Sequence, residues 1–91
     1  MSAVSRLDQI EWRKTQKRLQ QDIMSCPIAS RKDLLKMWNN LESIATEVSK
    51  LEVIERRTMG SSGLKANEKL AELEKQINYI DKMITIARLS F

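Results

Sequence analysis

The fold is decided by residues 66–91, ANEKLAELEKQINYIDKMITIARLSF, where every core position of a heptad is apolar. These positions are spaced alternately by four and three residues, and they are Ala66, Leu70, Leu73, Ile77, Ile80, Ile84, Ala87 and Phe91. The spacing places one continuous apolar stripe along a helix, and such a stripe is normally covered by another helix. We therefore predict that this helix packs against a second one. Phe91 either caps the pair, as its heptad position favours, or inserts into a pocket of a partner.

A matching stripe lies upstream in the chain. Its core positions are Leu34, Met37, Leu41, Ile44, Val48 and Leu51. If the two stripes fold back on each other with Leu51 beside Leu70, all six layers of the seam are apolar. A register shifted by one heptad would place Glu55 on Leu73, where the carboxylate would lose its water. The sequence thus predicts an antiparallel helical hairpin in the first of these registers.

Helix-breaking residues are confined to two places. Pro27 is the only proline, and Gly60 and Gly63 are the only glycines. They divide the chain into three helices, near 5–25, 30–58 and 63–89. Ser5 and Ser30 are the predicted N-caps of the first two helices, because a serine hydroxyl can accept a hydrogen bond from a free backbone N–H.

The predicted fold class is all-α. Residues 1–91 form a single helical domain, in which an N-terminal basic helix accompanies a coiled-coil-like hairpin over 30–89, and the chain assembles into a larger helical bundle. The run GSSG at 60–63 is either a natural interhelical turn or a flexible linker joining two fragments.

Size and charge bear on the kind of partner. A chain of 91 residues buries only about two-thirds of its unfolded surface, so association would add stability. The net charge of +4, from 16 basic and 12 acidic residues, permits nucleic-acid binding without requiring it.

Cys26 is the only cysteine and no signal-peptide pattern is present, so we expect a reducing, cytoplasmic location. No stretch approaches the roughly 18 consecutive apolar residues of a membrane span.

Catalysis is not expected from this sequence. The chain contains no histidine, the commonest general base and a frequent metal ligand. A single cysteine cannot build a thiolate zinc site, and the GSSG run lacks the lysine of a phosphate-binding loop. We predict no catalytic residues, no metal site and no cofactor.

The leading functional prediction is a non-enzymatic protein–protein interaction module, either a homo-oligomer or a small adaptor subunit of a larger assembly. Apolar residues beside the hairpin seam favour it, since a strict two-stranded coiled coil carries charges there. Burying a side chain such as Trp38 or Ile54 is worth about 1.5–3 kcal/mol. The predicted interface residues are Trp12, Leu19, Ile23, Trp38, Ala45, Ile54 and Met83. The first helix covers the hairpin either within one chain or between chains.

The alternative prediction is a small dimeric regulator that binds nucleic acid through the basic face of the first helix. The residues that would contact phosphates recur at helical spacing, and they are Arg6, Arg13, Lys14, Lys17 and Arg18. Glu11 and Asp22 flank this group, which weakens its positive field. An ordinary solvated helix face explains the same pattern and is the more common interpretation of a charge run.

Overall fold

The computed structural model describes residues 5–57 and 64–89, which form four helices and, in those ranges, no strand. The helices are α1 Arg6–Gln9, α2 Trp12–Met24, α3 Ile28–Arg57 and α4 Leu64–Leu89. The long helices α3 and α4 pack along each other as a hairpin, and α2 lies against both. The predicted all-α hairpin is thereby confirmed, while the larger bundle stays a prediction. The GSSG run at 60–63 and the predicted cap Phe91 lie outside the described residues.

The N-terminal helix is interrupted, although the sequence predicts one helix near 5–25. α1 ends at Gln9, and Glu11 takes a left-handed backbone conformation with φ 53° before α2 begins. In a continuous helix, Leu7 and Ile10 would lie on a different side from the buried residues of α2. The break lets both groups pack against the core. Tertiary packing therefore outweighs the cost of about 1–2 kcal/mol for a left-handed non-glycine residue.

The two predicted N-caps have different outcomes. Ser5 caps α1, and its hydroxyl accepts a hydrogen bond from Leu7 N at 3.3 Å. The prediction for Ser30 is wrong, because α3 already begins at Ile28. The Ser30 N–H donates to the Pro27 carbonyl at 2.9 Å, so Pro27 starts the first turn of that helix.

Helix α2 packs onto the hairpin of its own chain. Leu19 and Ile23 are completely buried, and Trp12 is nearly so. They belong to one cluster of buried residues that draws on α2, α3 and α4. Of the two arrangements left open by the sequence, the structure therefore has the first helix covering the hairpin within one chain.

The hairpin buries residues on its predicted seam. In three of the six predicted layers both residues are buried, namely the predicted pairs Leu34 and Ala87, Leu41 and Ile80, and Val48 and Leu73. Met37, Ile44 and Leu51 on α3 are only partly buried. Among the described residues, Glu52 is the one buried side chain that is polar or charged, and it marks the point where α1 meets the hairpin.

Candidate interaction surface

The seven apolar residues predicted to form an interface are mostly used inside the chain. Four of them are buried in its core, namely Trp12, Leu19, Ile23 and Ala45. Trp38 and Met83 are partly buried and pack against that core. Ile54 is 55% exposed. Packing within the chain accounts for six of the seven residues, and a role for them between chains stays a prediction.

Trp38 shows how α2 is anchored to α3. Its indole Nε1 donates a hydrogen bond to the Gln16 carbonyl at 3.1 Å. The Gln16 side-chain amide donates in turn to the Glu42 carboxylate. A tryptophan that is partly buried needs a partner for its single N–H, and here α2 supplies one. Trp38 therefore acts as a contact between helices of one chain.

The predicted basic residue Arg6 belongs to a polar cluster between three helices. Its Nη1 lies 3.0 Å from Glu55 Oε2 and 3.7 Å from Glu52 Oε2. Its Nε donates to Asn67 Oδ1 at 2.7 Å. Arg6 thereby connects α1 to α3 and α4, and its guanidinium is directed at the protein itself.

Glu52 is a part of this cluster that the sequence prediction missed. Its carboxylate accepts hydrogen bonds from Ser5 Oγ at 3.2 Å and from the Arg6 backbone N–H at 3.4 Å. These bonds offset the cost of burying a carboxylate. Glu55 Oε1, by contrast, is buried without a hydrogen-bond partner among the described residues. The available sequence signal was the position of Glu52 four residues after Val48, on the same helix face.

Arg18, another predicted basic residue, connects α2 to α4. It donates two hydrogen bonds to the Asp81 carboxylate, at 3.0 and 3.2 Å, and one to Asp22 at 3.2 Å. The hydrogen bond to Asp81 raises the pKa of the Arg18 guanidinium above its ordinary value. Asp22 also lies 3.4 Å from Arg88, whose Nη2 donates to Ser25 Oγ at 2.7 Å. The network therefore holds α2 on the end of α4.

The remaining three predicted basic residues lie on the outer surface of α2. Lys14 is 3.9 Å from Glu11, in an exposed pair. Arg13 and Lys17 are exposed, and neither forms an ion pair with any residue in 5–57 or 64–89. Of the five predicted phosphate-contacting residues, the structure thus leaves three available and uses Arg6 and Arg18 within the chain.

Ion pairing also changes how charge is distributed over the surface. In the described chain, five basic side chains are paired with seven acidic ones. The paired groups keep a small negative excess and the unpaired side chains carry a larger positive one, and together they give the net charge of +4. The positive charge is thus concentrated on side chains outside the ion pairs.

An exposed apolar group lies where α2 ends, α3 begins and α4 ends. The hydrogen bond between Arg88 and Ser25 brings these helix ends together. We call this group the apolar end, and its residues are Met24, Ile28, Ile86 and Leu89. Ile28 and Leu89 are each 79% exposed, and Met24 and Ile86 are 54% and 56% exposed. The core heptad positions did not predict this surface, because it is formed by the ends of three helices.

The hairpin also has an open groove of about 650 Å³ between α3 and α4. Its lining residues are Glu47, Lys50, Leu51, Lys65, Glu68, Lys69 and Glu72. Lys69 lies 3.0 Å from Glu47 and 3.3 Å from Glu72. The hydrogen bonds to Glu47 and then to Glu72 raise the pKa of the Lys69 ammonium. The three lysines and three glutamates that line the groove largely neutralise one another. The groove therefore has no distinct preference for a charged ligand.

The described part of the chain contains neither a metal-binding cluster nor a membrane-spanning helix. No group of three or more His, Cys, Asp or Glu side chains in 5–57 and 64–89 is placed to hold a metal ion. None of the helices in these ranges is both long and apolar enough to cross a membrane. Comparison with protein-family models, with curated proteins and with solved structures finds no match to this chain.

Proposed function

We propose that this chain is a non-enzymatic helical module for protein–protein interaction, and that it docks its partner at the apolar end. The partner is either a second copy of the chain or a larger assembly in which the chain serves as an adaptor subunit. The observation that carries this proposal is the exposure of Ile28 and Leu89, each 79% exposed at the same end of the bundle.

The energetics of these side chains support the proposal. Complete burial of one aliphatic side chain of this size is worth about 1.5–3 kcal/mol. Isolated exposed aliphatic residues are common on proteins, but neighbouring ones at one site are typical of interaction surfaces. Because a few buried residues dominate the affinity of most interfaces, the four residues of the apolar end would supply the main apolar contacts to a partner.

The direct test is photo-crosslinking from the apolar end. A photoreactive amino acid replaces Ile28 in one variant and Asn39, which is exposed on the polar side of α3, in a matched control. We expect a discrete crosslinked product from position 28 and little from position 39. The mass of the product, compared with the 10.6 kDa of the chain, distinguishes a second copy from another protein. Absence of a product, or equal yields from both positions, would contradict the proposal.

A second candidate function is nucleic-acid binding by the outer surface of α2. The observation that favours it is that Arg13 and Lys17 are exposed and form no ion pair with the described residues. Binding of DNA and RNA is measured over a salt series with the wild-type chain and with an Arg13→Glu, Lys17→Glu variant. Affinity that falls steeply with salt and is lost in the variant would support this function, whereas equal binding by the two proteins would exclude it.

We also propose a reducing, cytoplasmic location. The support is the lone cysteine, Cys26, which is buried and has no second cysteine to oxidise with. Imaging of a fluorescent fusion of the full chain tests this location, and accumulation outside the cytoplasm would contradict it.

A further inference from the structure

Helix α4 carries a second stripe with heptad spacing, on the side opposite its buried seam. The residues of this outer stripe are Lys75, Tyr79, Lys82, Ile86 and Leu89, separated by four, three, four and three residues. All five are exposed. A helix that packs on one side only would carry polar residues throughout its outer side. α4 instead combines three large apolar side chains with two lysines there.

The two lysines of the outer stripe have no negative partner. Neither Lys75 nor Lys82 forms an ion pair with another residue of 5–57 or 64–89. Of the nearby acidic side chains, Glu72 pairs with Lys69 at 3.3 Å and Asp81 with Arg18 at 3.0 Å. Glu74, directly before Lys75, is exposed, but adjacent residues on a helix do not face each other. The positive charge of the stripe is therefore available to a partner.

A shallow cavity of about 360 Å³ lies along this stripe. Its lining residues are Lys75, Gln76, Asn78, Tyr79 and Lys82. None of these residues is acidic, and the Tyr79 ring is 51% exposed among them. The cavity thus combines an aromatic surface with two cations and two amides, which suits a side chain that has an apolar stem and a carboxylate.

We propose that the outer stripe of α4 docks an acidic amphipathic helix from another protein. This inference rests on the proposed function, because Ile86 and Leu89 also belong to the apolar end, and it specifies the chemistry of the partner. Apolar residues of the docked helix, spaced by three and four, pack on Tyr79, Ile86 and Leu89. Carboxylates beside them face Lys75 and Lys82, which fixes the register and speeds association.

Charge argues against a second copy of the chain as the occupant. An antiparallel pairing of two outer stripes that buries Ile86 also brings Lys82 of each copy into the seam. No carboxylate of the stripe between 75 and 89 would face these lysines, and like charges within an interface cost affinity. Nucleic acid is also less suitable, because Ile86 and Leu89 offer nothing to phosphates and only Tyr79 could stack on a base.

The test uses two designed peptide helices with the same apolar stripe and either glutamates or lysines flanking it. Binding to the full chain is measured by fluorescence anisotropy. We expect the glutamate peptide to bind at least about tenfold more tightly than the lysine peptide, and a Lys75→Glu, Lys82→Glu variant to reverse that preference. A Lys32→Glu, Lys36→Glu variant on exposed positions of α3 changes the net charge equally and should leave the preference in place.

Several results would overturn the inference. They are equal binding of the two peptides, a preference that the α4 variant does not reverse, and binding of neither peptide. Displacement of the glutamate peptide by a single-stranded oligonucleotide at equal concentration would also overturn it and assign the stripe to nucleic acid. If neither peptide binds but crosslinking from position 28 captures a partner, only this inference fails. If crosslinking fails as well, the proposed function fails with it.

Discussion

Replacing Leu19 by alanine tests whether α2 belongs to the core of a single chain. Leu19 is completely buried between α2 and the hairpin, so its truncation removes apolar burial and leaves a cavity. Leucine-to-alanine changes at such sites cost about 2–5 kcal/mol. A chain of 91 residues is expected to have an unfolding free energy of about 5–13 kcal/mol. The substitution should therefore remove a large fraction of the total stability.

The assay is urea denaturation followed by circular dichroism, at two protein concentrations about a hundredfold apart. Gln20→Ala, at an exposed position of the same helix outside the apolar end, is the control and should change the unfolding free energy by less than about 0.5 kcal/mol. The loss in Leu19→Ala should be the same at both concentrations. A loss below about 1 kcal/mol, or one that appears only at the lower concentration, would refute the packing of α2 within one chain.

Three further substitutions and one control, Lys14→Ala, are followed by the same denaturation assay. Arg6→Ala leaves the Glu52 carboxylate buried with fewer partners and should cost about 1–3 kcal/mol of stability. Lys14→Ala removes an exposed ion pair and should cost less than about 1 kcal/mol. Equal costs would contradict the role of the polar cluster around Arg6. Glu11→Gly relieves a left-handed backbone conformation and should stabilise the chain by up to about 1 kcal/mol, and a clear destabilisation would contradict the helix break. Trp38→Phe loses the hydrogen bond to α2 and should cost about 0.5–1.5 kcal/mol, so no change would show that this bond is unimportant.

The hairpin was predictable from sequence because its signals are local. The two apolar stripes have heptad spacing, and Pro27 and the glycine pair Gly60 and Gly63 bound the helices closely. α3 and α4 accordingly begin and end within about two residues of the predicted positions wherever those ends are described. The break at Glu11 was not predictable, because neither glycine nor proline marks it. It results from the packing of Leu7 and Ile10 on distant parts of the chain.

The candidate surface was less accessible to sequence reasoning. Residues such as Trp38 and Ala45 lie beside the seam of a two-helix hairpin, and they face outward only if nothing covers that side. Whether that side is covered depends on where α2 runs, and long-range packing determines the position of α2. Ile28 and Leu89, by contrast, are apolar and look like core residues in the sequence. Their exposure is known only from the structure, in which they lie where three helices end or begin.

The central claim is that the chain binds its partner through the apolar end. Its most direct test is the dissociation constant for the partner captured from position 28, measured with the wild-type chain and with an Ile28→Ser, Leu89→Ser variant. Two exposed anchors lost from an interface should weaken binding at least about tenfold, while a Lys36→Ser control on α3 should bind like the wild type. A dissociation constant within about twofold of the wild-type value in the double variant would contradict the claim.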